Sequence, residues 1–178
     1  MVDPLTLRRW SFRALFAALA LLVIFVRILP YHVGEDNWPA PDLLVLLTFA
    51  WVLRRPDYAP VWLIALTGLF ADVVFVQPLG LWTLLTVLGA DFLRRRHHAT
   101  AGQPFPIEWL TVSLVLLAMH LGQTLILGIL LVPQPPVGAT GLRLLISVLA
   151  YPLVVAATAF GLGIRPASPA ERDGEMRA

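Results

Sequence analysis

Six apolar runs alternate with short polar segments along this chain, and each run is of a length and pattern that predicts a helix. They cover about residues 10–29, 42–53, 58–76, 81–93, 109–132 and 142–164. Pro30 stops the first run. Arg54-Arg55-Pro56-Asp57 separates the second from the third, because proline bars the preceding residue from helical geometry. Gln77-Pro78-Leu79-Gly80 turns the chain again, Arg94 through Pro106 reads as the longest interior loop, and residues 133–141 form a proline-rich loop without charge. Pro152, inside the sixth run, predicts a kink that neighbouring helices tolerate. Residues 165–178 read as a polar, disordered tail.

Run length carries more information than run number. The first run would span about 30 Å, the thickness of a bilayer's hydrocarbon core. Residues 42–53 would reach only about 18 Å, and 81–93 is short as well, too little for a lone helix facing lipid. Such helices either gain a turn at each end or lie inside a bundle among longer ones. Ser11, Ala14 and Ala18 put small side chains along one face of the first run, where a neighbouring helix could pack closely. Asp42, directly after Pro41, is placed to cap or charge-balance the second helix.

Composition fixes the solvent. Of 178 residues, 58% are hydrophobic and 13% charged, against about 45–50% and about 25% in soluble domains. A globule of this size has too much surface to hide that excess. The chain reads as an all-α integral membrane protein, six transmembrane helices in a compact bundle over residues 1–164. The first run is longer than a signal-peptide core and no small-x-small cleavage pattern follows it, so it reads as an uncleaved span. There is no cysteine, which removes disulfides, thiolate metal sites and thiol catalysis.

All 13 basic residues are arginines. Arg8, Arg9, Arg13, Arg54, Arg55, Arg94, Arg95, Arg96, Arg165, Arg172 and Arg177 fall on one side of the predicted spans, and only Arg27 and Arg143 on the other. That asymmetry puts both termini in the cytoplasm. Trp10, Trp51, Trp62 and Trp109 near the inner ends, with Trp38 and Trp82 near the outer ends, read as aromatic belts. Short arginine clusters between apolar runs are topology signals, not the basic stripe of a nucleic-acid binder.

Ionisable side chains at membrane depth are functional candidates and, equally, structural pairs. Asp72 shares a helix face with Gly68, and lies at a depth similar to Arg27 and Arg143. Pairing of Asp72 with one of these arginines would tie spans together or order the outer loops for a partner. Asp91 has Arg94 and Arg95 three and four residues on, and Arg54 and Arg55 arrive at the same depth. That cluster reads either as an anchor for anionic lipid headgroups or as a docking surface. His120, Gln123 and Thr124 share one face of the fifth run as a polar ladder, suited to interhelical hydrogen bonds or to a ligand pocket.

No metalloprotease helix, phosphate loop, nucleophile elbow or shared-face carboxylate pair occurs. The chain therefore reads as a non-enzyme without a cofactor.

The stretch from residue 41 to 96 also carries a resemblance. Pro41-Asp42-Leu43-Leu44, then Leu53-Arg54-Arg55-Pro56, then Gly68 to Asp72, Pro78-Leu79-Gly80 and Leu93-Arg94 together resemble the rod shape-determining protein MreD family. The resemblance implies a multi-pass protein of the bacterial inner membrane, folded like the substrate-binding subunits of energy-coupling-factor transporters. It implies a scaffold of the rod or elongation complex in lateral peptidoglycan synthesis. The implied partners are MreC first, with MreB, RodA and a penicillin-binding transpeptidase as complex members. An importer subunit holding a vitamin-sized ligand is the alternative, since fold alone does not separate the two.

Overall fold

Proline opens three of the helices in this computed structural model. Pro60, Pro104 and Pro136 stand at N-cap positions with φ of −65°, −64° and −53° and extended ψ. The ring presets φ, and the missing N–H would have had no intrahelical partner there. The structure describes residues 4–29, 40–100 and 104–161. The loop holding Glu35, Asp36 and Trp38, the side chains of His97 and His98, and the expected disordered tail lie outside the described residues.

Every regular element there is helical: α1 (Pro4–Ile28), α2 (Leu43–Arg54), α3 (Val61–Val74), α4 (Leu81–Thr100), α5 (Phe105–Ile129) and α6 (Val137–Ala156), with a 3-10 turn at Pro56–Tyr58 and a π turn at Ala157–Gly161. Three helical stretches, Thr6–Ile28, Phe105–Ile129 and Val137–Phe160, are long and apolar enough to cross a membrane, while α2 and α3 are shorter apolar helices. This is a membrane protein by composition and helix length.

The short helix α2 lies inside the bundle. Every residue from Val45 to Arg54 is buried, with α1, α4 and α6 packed around it. Phe49, Trp51 and Leu46 form the centre of the core with Phe16, Leu93, Leu116 and Tyr151. Protein thus covers what a lone 12-residue helix would expose to lipid. By contrast α3 buries only one stripe, Leu63, Ile64, Thr67, Ala71 and Asp72, at three- and four-residue spacing.

Several boundaries and faces differ from the sequence expectation. The helix begun at Leu81 does not stop at Leu93 but runs to Thr100, because arginine is a good helix former and Asp91 supports Arg95 one turn on, 2.8 Å away. The interior loop expected from Arg94 to Pro106 shrinks accordingly, and the second short helix is α3. Trp51 is no belt residue; it is fully buried, edge-on to Phe16 at 5.3 Å. Ser11, Ala14 and Ala18 face outward. Inside the bundle α1 presents Phe16, Ala20 and Ile24 instead, at four-residue spacing.

Pro152 is accommodated within α6. Its missing N–H would leave the Val148 carbonyl, four residues earlier, without a donor. The Trp109 indole N–H of α5 takes that place at 2.9 Å.

Candidate functional site

The helices alternate in direction, so the bundle has two ends. One gathers the C-terminal parts of α1 and α3 with the N-terminal parts of α2, α4 and α6; here two carboxylates, Asp42 and Asp72, are 2% and 1% exposed. The other end gathers most of the arginines.

Asp42 is the N-cap residue of α2, yet its side chain makes no capping hydrogen bond. The carboxylate turns to the neighbouring helices. Arg143 of α6 donates to Oδ1 through Nε at 3.0 Å and also through its second nitrogen. Arg27 of α1 stands 3.7 Å from the same oxygen and 4.5 Å above the Phe75 ring. The Asp42 N–H donates to Ser147 Oγ at 3.0 Å, and Ser147 in turn donates to the Arg143 carbonyl at 2.8 Å. On the other side, Oδ2 faces His120 Nε2 at 3.7 Å, beyond hydrogen-bonding distance. Both atoms are buried without a partner among the described residues. His120 Nδ1 lies 2.9 Å from the Leu116 carbonyl, and its ring meets Trp82 edge-on at 5.1 Å. One carboxylate therefore joins α1, α2 and α6 and faces α5.

Asp72 is satisfied differently. Its Oδ2 accepts the Thr83 hydroxyl at 2.7 Å, the Gly80 N–H at 3.0 Å and the Thr83 N–H at 3.4 Å. These donors sit at the start of α4, where free N–H groups and the helix dipole favour a negative charge. Gly68 makes the approach possible: a Cβ there would lie 2.8 Å from Thr83 Oγ1. Gly80 adopts φ +81°, a conformation that suits glycine. The turn before it closes α3 with a Schellman motif, Gln77 N–H to the Asp72 carbonyl at 3.0 Å. Val76 takes the left-handed position of that motif at φ 52°.

The expected partnership of Asp72 with Arg27 or Arg143 is thus corrected. Both arginines converge on Asp42, and Asp72 caps a helix. A cavity of about 30 Å³ with mostly apolar walls lies between the two carboxylates, its polar lining residues including Arg27, Asp42, Thr48, Thr67, Asp72 and Thr86. Its size matches one water molecule. The ladder expected on α5 does not form a shared inner face: His120 is buried, Gln123 half-buried and Thr124 exposed.

At the opposite end the expected cluster divides. Arg54, 7% exposed, pairs with Glu108 at 3.0 Å, and the Tyr151 hydroxyl donates to the same Glu108 oxygen at 2.6 Å. Arg94 donates to the Ala59 carbonyl at 2.7 Å, while Asp91 holds Arg95 at the surface. Arg55, at the C-cap of α2, donates its backbone N–H to the Trp51 carbonyl at 2.7 Å. Glu108, Ser147 and Tyr151 were not expected as site residues. Their signal was present in part: Arg143, Ser147 and Tyr151 recur every four residues, one stripe on α6. Among residues whose side chains are described, no group of three or more His, Asp or Glu is arranged to hold a metal.

The arrangement defines an all-helical membrane protein whose helices are clasped by buried ionic groups at both ends. A family model described as rod shape-determining protein MreD matches residues 8–133. The chain belongs to that family, and its role lies in rod shape determination. Comparison with curated proteins and with solved structures returned no match. The matched region holds α2 to α5 and all but the first residues of α1, so Arg143, Ser147 and Tyr151 reach the clasps from outside it.

Proposed function

We propose that the protein is a non-enzymatic inner-membrane scaffold of the bacterial rod complex, binding MreC and helping to maintain rod shape during peptidoglycan synthesis. The observation that carries this reading is the family match over residues 8–133. In this reading the chain crosses the membrane six times with both termini cytoplasmic, as the arginine asymmetry suggests. MreB, RodA and a penicillin-binding transpeptidase complete the assembly. The clasps support a scaffold role, because they hold helices from different parts of the chain in one fixed arrangement. Asp42, Asp72, Arg54 and Arg94 serve that rigidity, and the arginine end meets anionic lipid headgroups.

The importer alternative asks for a cavity of about 300–1,000 Å³ with converging polar groups. The cavity beside Asp42 is about 30 Å³, and the ladder does not line it. A larger groove between α4 and α5, about 360 Å³, has a mostly apolar lining in which only Arg96 and Thr111 are polar. Depletion followed by microscopy tests the scaffold reading: cells should round, and the tagged protein should copurify with an MreC-like protein. Unchanged rods, or copurification with an ATPase module and a small ligand, would refute it.

A further inference from the structure

A second cavity, of about 360 Å³, opens as a groove between α4 and α5. Its lining is apolar apart from its mouth. Gly89, Val115 and Met119 line it, with Phe92 and Leu85 along α4 and Arg96 at one end. Leu85 and Arg96 are eleven positions apart in the sequence, about 16 Å along a helix at 1.5 Å per residue. That is close to half of a hydrocarbon core about 30 Å thick. The groove is therefore one leaflet deep.

Its charge is just as one-sided. Residues 91–96 carry three arginines against one aspartate. Asp91 holds Arg95, and Arg94 donates to a neutral carbonyl, that of Ala59. The Arg96 guanidinium lies 4.7 Å from the centre of the Phe92 ring, at the mouth of the groove. An apolar slot one leaflet deep, with the Arg96 cation at its surface end, is complementary to one molecule class: a phospholipid with an anionic headgroup.

We infer that the α4/α5 groove holds one acyl chain of an anionic phospholipid from the leaflet at the arginine end, with the headgroup on Arg96. A partner's transmembrane helix fits less well. Such a helix crosses the whole core and is about 10 Å across, whereas the groove ends near mid-bilayer. The inference is independent of which proteins the bundle docks.

Native mass spectrometry of the full-length protein, supplied with phosphatidylglycerol or phosphatidylcholine of the same chains, tests it. Wild type should retain one phosphatidylglycerol in preference to phosphatidylcholine. Arg96→Gln should reduce that retention roughly fivefold, the worth of one arginine at an anionic surface. Ala118 of α5 also lines the groove, so Ala118→Trp, which fills it, should abolish retention, and Leu66→Trp on the exposed face of α3 should leave it unchanged. If Ala118→Trp does not fold, Arg96→Gln decides alone. Equal retention of both lipids by wild type overturns the inference, as does an adduct that survives both substitutions. Loss of a copurified protein from Ala118→Trp with the lipid adduct intact overturns it too, and assigns the groove to a partner helix.

Discussion

Asp42 and Asp72 lie at the same end of the bundle, are buried to the same degree and border the same small cavity, yet they are stabilised by opposite means. Asp42 is held by charge: two guanidiniums approach it from two other helices, while the His120 ring of a third stands beyond hydrogen-bonding distance. Asp72 is held by neutral donors from the first residues of α4. One carboxylate fixes tertiary arrangement across most of the chain; the other fixes a single tight turn and the contact between α3 and α4. Their consequences on removal should differ accordingly.

The largest effect belongs to Asp42→Ala. It leaves Arg27 and Arg143, whose side chains are 32% and 25% exposed, without their counter-charge, so the cost falls at the low end of the about 3–5 kcal/mol of an uncompensated buried charge. Chemical unfolding in mixed micelles should show that loss, with Arg27 and Arg143 becoming accessible to a guanidine-directed reagent. Asp72→Ala should cost less, about 1–3 kcal/mol, since it leaves buried donors unsatisfied but no stranded cation. Gly68→Ala should mimic it without touching the carboxylate, by forcing Thr83 away. If Asp72→Ala proves the more damaging of the two aspartate variants, the contrast between the sites fails.

A smaller effect is expected on α6. Trp109→Phe removes the donor that serves the Val148 carbonyl, worth about 0.5–1.5 kcal/mol. Pro152→Ala in that background supplies a backbone N–H to the same carbonyl, so the double variant should recover most of the loss. Failure of that recovery would separate the indole from the proline. The smallest change is Arg95→Ala, whose partner Asp91 is exposed at the surface; an unfolding midpoint should register about 0.3–0.5 kcal/mol.

The two aspartates also mark where sequence reading succeeds and where it stops. Depth and helix face are one-dimensional properties, so Asp72 beside Gly68, and Arg27 level with Arg143, were legible from spacing. Partner choice is three-dimensional. Asp42 stood where a capping residue should, and Asp72 where an arginine partner should, and the bundle exchanges these roles. The exchange follows from the tight turn after α3, which brings the start of α4 onto Asp72 and leaves α1 and α6 to Asp42. Helix ends were misread for a related reason. Hydropathy falls at Arg94, but helix propensity does not, so α4 continues. Short α2 was legible as either an extended helix or an interior one, because its length excluded a lone lipid-facing span, and the bundle takes the second option. Glu108 was overlooked because it lies beside a predicted loop, and only the fold sets Arg54 and Tyr151 against it.

A double-mutant cycle on the arginine–carboxylate pairs tests the central claim most directly. Unfolding free energies of Asp42→Asn, Asp72→Asn, Arg143→Gln and the two double variants give the coupling of Arg143 to each aspartate. Arg143 and Asp42 should couple by more than about 1 kcal/mol, while Arg143 and Asp72 should be additive within about 0.5 kcal/mol. Strong coupling of Arg143 to Asp72, with none to Asp42, would contradict the clasp described for this end of the bundle.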